Sequence, residues 1–141
     1  MTKINSVLLV EDDIIDVKII KRIFKDLGLA YPLHVSPDGE EALQYLRDKN
    51  TKLPTLILLD LNMPRMNGFE FLTIIKNDHI LKRIPVIILT TSKDQNDKNE
   101  IFELGIAGYM VKSVDYKHFT KTIDNINRYW TSSEFPDFVE E

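Results

Sequence analysis

The chain has 141 residues, 43% of them apolar, with a net charge of −4 and no cysteine. That length suits one domain with a full hydrophobic core, and the lack of cysteine removes disulfides, thiolate metal sites and cysteine nucleophiles together. The mixed, mildly acidic balance disfavours nucleic acid as a partner, and neither an N-terminal signal nor an apolar run of transmembrane length is evident. A cytoplasmic protein with no membrane contact is expected.

The first apolar run, residues 6–10, reads as a buried strand and ends in Glu11, Asp12 and Asp13. A helix follows. Asp13 is placed to cap it with Asp16 three residues on, a capping-box spacing, and Val17, Ile20, Phe24 and Leu27 recur at helical intervals until Gly28. Residues 33–36 are a short second strand, and Asp38 starts a second helix with Glu41 at the capping position and Ala42, Leu43 and Leu46 on its inner face. Residues 55–60 are the third strand, an apolar run closed by Asp60 and followed by Leu61, Asn62, Met63 and Pro64. A third helix begins near Asn67 and Gly68 and carries Phe71, Leu72 and Ile75. Residues 85–90 form a β-branched fourth strand, after which Ser92 is placed to cap a fourth helix with Gln95 three residues later. A short fifth strand covers residues 107–111 and a fifth helix residues 115–130.

Five strand–helix units of this size predict an α/β protein, a flavodoxin-like (βα)5 doubly wound parallel sheet with strand order 2-1-3-4-5. Residues 1–130 form the domain and residues 131–141 a short C-terminal tail. That order sets strands one and three side by side, about 4.8 Å apart. Glu11, Asp12 and Asp60 then crowd the carboxyl edge of the sheet, where open α/β folds bind ligands. At ~4 Å and an effective dielectric near 20, each like-charge pair costs about 4 kcal/mol, which a domain of roughly 5–15 kcal/mol total stability does not sustain without a cation. Oxygen ligands with no His or Cys among them point to a hard divalent metal, and Mg2+ fits. Asp13 is explained by capping alone. His34, His79 and His118 are scattered without metal-binding spacing.

Val10 through Asp13, Leu59 through Pro64, Met66-Asn67-Gly68, Thr90 and Lys112 together resemble the receiver domain of two-component response regulators, in the stand-alone, chemotaxis-receiver-like form. The resemblance runs over about residues 5–130 with every element in order. It implies that Asp60 is the phosphoacceptor, charged by a sensor histidine kinase with Mg2+ present. It also implies that Glu11, Asp12, Asp60 and the Asn62 carbonyl form the metal set, that Thr90 and Lys112 contact the phosphoryl oxygens, and that Tyr109 is the aromatic switch. Phosphoryl transfer consists largely of positioning and charge neutralisation, which is what a carboxylate nucleophile, a metal, an ammonium and a hydroxyl supply. Such a domain is a phosphorelay signalling protein that assists its own phosphorylation and dephosphorylation, and is not otherwise an enzyme. One departure stands out. Receivers commonly carry Pro after the strand-five lysine, on a cis bond, whereas Ser113 stands here, so this peptide is either trans or strained.

The aromatic end of helix five and the tail residues Phe135 and Phe138 add a weaker resemblance to phytochrome-associated response regulators, which makes a phytochrome the candidate kinase. The polar fourth helix, with few apolar anchors, and the edge strand beside it predict that the signal leaves through the helix four–strand five–helix five face. Phe102, Tyr116, Tyr129 and the tail aromatics supply that face, whereas Phe119, Ile123, Ile126 and Trp130 fall on the core stripe. A homodimer through this face is expected, with partner binding as its competitor. Three other readings compete with a working receiver. A haloacid-dehalogenase-type phosphatase needs an acid two residues after its nucleophile, where Asn62 stands. A flavin module needs a phosphate loop that Glu11, Asp12 and Asp13 would repel. A degenerate receiver acting only as a binding module would not need Glu11, Asp12, Asp60, Thr90 and Lys112 together.

Overall fold

The computed structural model describes residues 4–136. Its elements follow the chain as β1 (Val7–Val10), α1 (Ile14–Asp26), β2 (Leu33–Ser36), α2 (Gly39–Arg47), β3 (Leu56–Leu59), α3 (Gly68–Lys76), β4 (Val86–Thr90), α4 (Gln95–Glu103), β5 (Gly108–Val111) and α5 (Tyr116–Thr131), with a single 3-10 turn at Leu81–Arg83 before β4. The five strands form one parallel sheet in the order β2-β1-β3-β4-β5. This is the flavodoxin-like receiver arrangement expected from the sequence. β2 matches its expected span, while the other strands lose a residue at one or both ends. Asp60 thus lies just beyond β3 rather than inside it.

β1, β3 and β4 are buried along their whole length because both faces of the sheet are covered. Alternate residues feed two separate cores. Leu8, Val10, Ile57, Leu59 and Ile88 pack with Leu43, Phe71, Leu72 and Ile101 of α2, α3 and α4. Val7, Leu9, Leu58, Ile87 and Leu89 pack with Ile20, Ile23, Phe119 and Ile123 of α1 and α5. Burial of an aliphatic side chain contributes about 1.5–3 kcal/mol, so the three central strands are the rigid part of the molecule.

Helix starts follow local capping chemistry. Asp13, Asp38, Asp94 and Asp115 accept backbone N–H groups of the first turns of α1, α2, α4 and α5, and Asn67 with Glu70 makes a reciprocal capping box on α3. Two expectations are corrected here. α4 is capped by Asp94, not Ser92, whose hydroxyl instead donates to Asp97 at 2.9 Å. Asp16 does not complete a capping box on α1, because the Asp13 N–H donates to Glu11 Oε2 at 3.2 Å and the Asp16 carboxylate accepts from Lys112.

The aromatics of α5 divide differently from the expected stripe. Phe119, Ile123 and Ile126 are buried, but Trp130 is half-buried, its ring 5.7 Å from that of Phe135. Phe135 therefore packs on its own domain, and Phe138 lies outside the described residues. Tyr116 is also engaged internally, donating to Asp26 at 2.6 Å, while Tyr129 and Phe102 stay exposed.

Candidate functional site

Register builds the acidic pocket. Val10 pairs with Leu59, so Glu11 and Asp60 leave neighbouring strands together. The Asp60 N–H donates to the Val10 carbonyl and the Glu11 N–H to the Ser36 carbonyl, each at 3.0 Å. Glu11 is 2% exposed and Asp60 6%, whereas Asp12 is open to solvent. One carboxylate oxygen from each of the three lies within 4.8 Å of the others. Oxygens sharing a metal ion at ~2.1 Å can be at most about 4.2 Å apart, so a contraction of under about 1 Å closes the set around a small cation. The donors are all hard oxygens, which suits such an ion. Asn62 is exposed and, with Asp12, Pro64 and Asn67, lines an adjoining cleft of about 390 Å3.

Lys112 enters from the other side. Thr90 pairs with Val111, and the Lys112 N–H donates to the Thr90 carbonyl at 2.8 Å, which turns the side chain toward β1 and β3. Its ammonium, only 7% exposed, donates to Glu11 Oε1 and to Asp16 Oδ2 at 2.8 Å, and stands 3.9 Å from Asp60 Oδ2. The solvated surface position usual for lysine does not apply. Burial works against the Lys112 charge, but the hydrogen bonds to Asp16 and Glu11 and the charge of Asp60 outweigh it and hold the ammonium above the ordinary lysine value. Glu11 answers differently. Burial, reinforced by the Asp60 charge, pushes its carboxyl up to about 7, against the pull of the Lys112 hydrogen bond. One ammonium thus serves several acids and does not neutralise them. No cis peptide occurs among the described residues, so the Lys112–Ser113 bond is trans.

Thr90 ends β4 fully buried, its Oγ1 accepting the Ser92 N–H at 3.4 Å. Tyr109 is not in the acidic pocket. Its hydroxyl donates to the Ser92 carbonyl at 2.9 Å, its ring lies 6.3 Å from that of Phe102, and the Lys98 amine is 5.9 Å from its centroid. Thr90 and Tyr109 are therefore linked through hydrogen bonds to Ser92.

Three features escaped the sequence reading. Asp16 joins the pocket, and its place in the first turn of α1, beside the acidic run, was the available signal. The second is the close approach at Gly68, a residue read above only as a helix start and part of the motif. A Cβ there would lie 2.5 Å from the Asp60 carbonyl and 2.8 Å from Leu61 Cα, while its N–H donates to the Leu61 carbonyl at 3.0 Å. The third is Arg65, in the left-handed region at φ 61°. Its guanidinium bonds the buried Asp38, through Nε at 2.9 Å and through Nη2, and approaches Glu41. Burial pushes the Asp38 carboxyl up, but the hydrogen bonds from Arg65 and the Glu41 N–H outweigh it and hold it below the ordinary carboxylate range.

Comparison with known proteins agrees with the fold. The sequence model of the family described as response regulator receiver domain matches residues 7–124. The response regulator Rcp1 of Synechocystis sp. is 37% identical over 128 residues, covering 88% of this chain and 87% of its own. The crystal structure of the phosphorylated cyanobacterial phytochrome response regulator RcpA superposes with a TM-score of 0.88 at 33% identity, over 96% of this chain and 100% of that one. The Mn2+-bound form of Rcp1 superposes with a TM-score of 0.86 at 35% identity, over 94% and 99%.

Proposed function

The chain belongs to the family of response regulator receiver domains, and from that premise we propose that it accepts a phosphoryl group on Asp60 from a sensor histidine kinase, with Mg2+ bound, and signals through its α4–β5–α5 face. One observation carries this reading. A buried carboxylate at the end of a central parallel strand has an ammonium 3.9 Å away and two further carboxylates within 4.8 Å. An Asp60 oxygen forms the new P–O bond as the P–N bond of the donor phosphohistidine breaks, and the electron pair leaves with the imidazole. Lys112 is placed to donate to one phosphoryl oxygen, and the Thr90 hydroxyl suits another. A divalent cation held by Glu11, Asp12, Asp60 and the Asn62 carbonyl supplies charge neutralisation at the same centre. The chain acts as a phosphoacceptor and not as an enzyme on an external substrate.

Output is proposed to run from Thr90 through Ser92 to Tyr109, because the Tyr109 hydroxyl holds the carbonyl of the loop that Thr90 begins. Exposed Phe102 and Tyr129 lie on the two helices flanking β5, and they support a homodimer through this face, with docking of another protein as the competing use. A phytochrome is the candidate kinase, since RcpA is a phytochrome response regulator. No helix among the described residues is long and apolar enough to cross a membrane, in keeping with a cytoplasmic partner of such a kinase. Acetyl phosphate with Mg2+ is expected to add one phosphoryl mass, and Asp60→Asn to abolish it. Undiminished labelling of Asp60→Asn by intact mass would refute the assignment. Sedimentation with and without beryllofluoride decides the dimer, which a monomer under both conditions at high concentration would exclude.

A further inference from the structure

Lys112 is held by more than the acids of the proposed metal set. Asp16, in the first turn of α1, accepts from its ammonium at 2.8 Å, and the Asp16 side chain is itself largely sheltered at 23% exposure. An ammonium has three donors. One goes to Glu11, one to Asp16, and Asp60 is the remaining acid nearby, at 3.9 Å. Glu11 also belongs to the carboxylate set that fits a cation. Its hold on Lys112 is therefore shared with the cation whenever one binds. Asp16 is the acid bonded to Lys112 that stands outside that set.

The backbone beyond Lys112 gives little help. Its peptide to Ser113 is trans, with no proline ring to stiffen the turn, and Val114 is fully exposed. A cavity of about 260 Å3, lined by Lys112, Ser113, Val114 and Phe119 with Asp16 on its wall, leaves room for the flexible lysine stem to swing. Resting on the phosphoacceptor reading above, we infer that Asp16 is a positioning residue, its carboxylate tethering the Lys112 ammonium within reach of the group that enters at Asp60. A loss of about 1 Å in such placement can lower a rate by up to roughly a hundredfold, and here one of two tethers is removed.

The rate of Asp60 phosphorylation by acetyl phosphate and Mg2+, followed by intact mass, tests this in the native chain, Asp16→Asn, Lys112→Ala and the double variant. Asp16→Asn is expected to slow labelling about tenfold, with Asp16→Glu, which keeps the carboxylate, retaining most of the rate. In the Lys112→Ala background Asp16→Asn is expected to change nothing, because the two residues act as one unit. An unchanged rate in Asp16→Asn, or the same slowing with and without Lys112, would overturn the inference. A second readout does not depend on phosphorylation. The Lys112 ammonium should give a slowly exchanging 15N NMR signal in the native protein with Mg2+ and lose it in Asp16→Asn, and a persistent signal would equally overturn the tether. Failure of the native chain to label on Asp60 would instead strike the phosphoacceptor reading, leaving the tether to be judged by this signal.

Discussion

The centre of the sheet and its β5 edge are built to opposite standards. β1, β3 and β4 are buried at every residue, and their register fixes the backbones that carry Glu11 and Asp60 side by side. Every residue of β5 is only half-buried, and α4 beside it buries a single residue, Ile101, where α1 buries four. Stability is local, and elements with few buried anchors open at lower free energy than the core. A site that must hold like charges close together needs the first kind of support. A surface proposed to change shape suits the second. Ser92 joins the two, being tied to Thr90 on one side and Tyr109 on the other.

The comparison can be broken most severely at Gly68. A side chain there meets main-chain atoms of Asp60 and Leu61 rather than a flexible side-chain end. Gly68→Val is expected to destabilise by about 3–5 kcal/mol, beyond ordinary overpacking, and urea unfolding measures it. A cost below ~1 kcal/mol would mean that the rigid half yields easily. Next come matched truncations. Ile88 and Ile101 are both fully buried, yet Ile88→Ala in β4 should cost about 3–5 kcal/mol and Ile101→Ala nearer 2, because α4 can settle into the space. Equal costs would erase the contrast, and faster amide exchange confined to α4 in Ile101→Ala would sharpen it.

A smaller effect separates the acids from the rest. Glu11 has its carboxyl raised above the value an unfolded chain gives it. Stability from that group is therefore full at low pH and lost as pH rises through about 7. A divalent cation favours the ionised form, so the stabilisation by Mg2+, followed as a rise in Tm, should grow from about pH 5 to about pH 8, reaching about 1.4 kcal/mol when free metal is ten times its Kd. Glu11→Gln should raise metal-free stability at the higher pH and flatten the response. A Tm indifferent to Mg2+ throughout would deny the metal set. The smallest expected change is Tyr109→Phe, which removes one hydrogen bond and costs about 0.5–1.5 kcal/mol. Its signature is faster exchange in the loop at Ser92 with the central strands untouched.

The central half of this contrast was legible in the sequence. Continuous apolar runs alternating five times with helical patterns point to parallel strands buried on both faces, and the strand order then sets Glu11 beside Asp60. Features that depend on distant side chains were not legible. Asp16 meets a lysine from the far end of the chain, and a carboxylate three residues after a cap is equally well read as part of that cap. Ser92 and Asp94 are both competent caps, but α4 begins at Gln95, which puts Asp94 at the capping position, while the Ser92 hydroxyl donates to Asp97. Trp130 continues the apolar stripe of α5 and packs against that core, but only partly buried, with Phe135 beside it. Tyr116 drops out of the exposed set because Asp26 and Arg22 happen to face it.

Arg65 carries a consequence for conditions rather than for residues. Its left-handed backbone is unfavourable for a side chain of that size, and the contacts to Asp38 and Glu41 are what oppose the strain. The guanidinium is more than half exposed, so dissolved ions reach it, and at about 1 M salt the screening length falls to ~3 Å. The exposed contact to Glu41 is the one this weakens, while the bond to the buried Asp38 is screened far less. Ionic strength thus tells apart the two acids that hold one guanidinium.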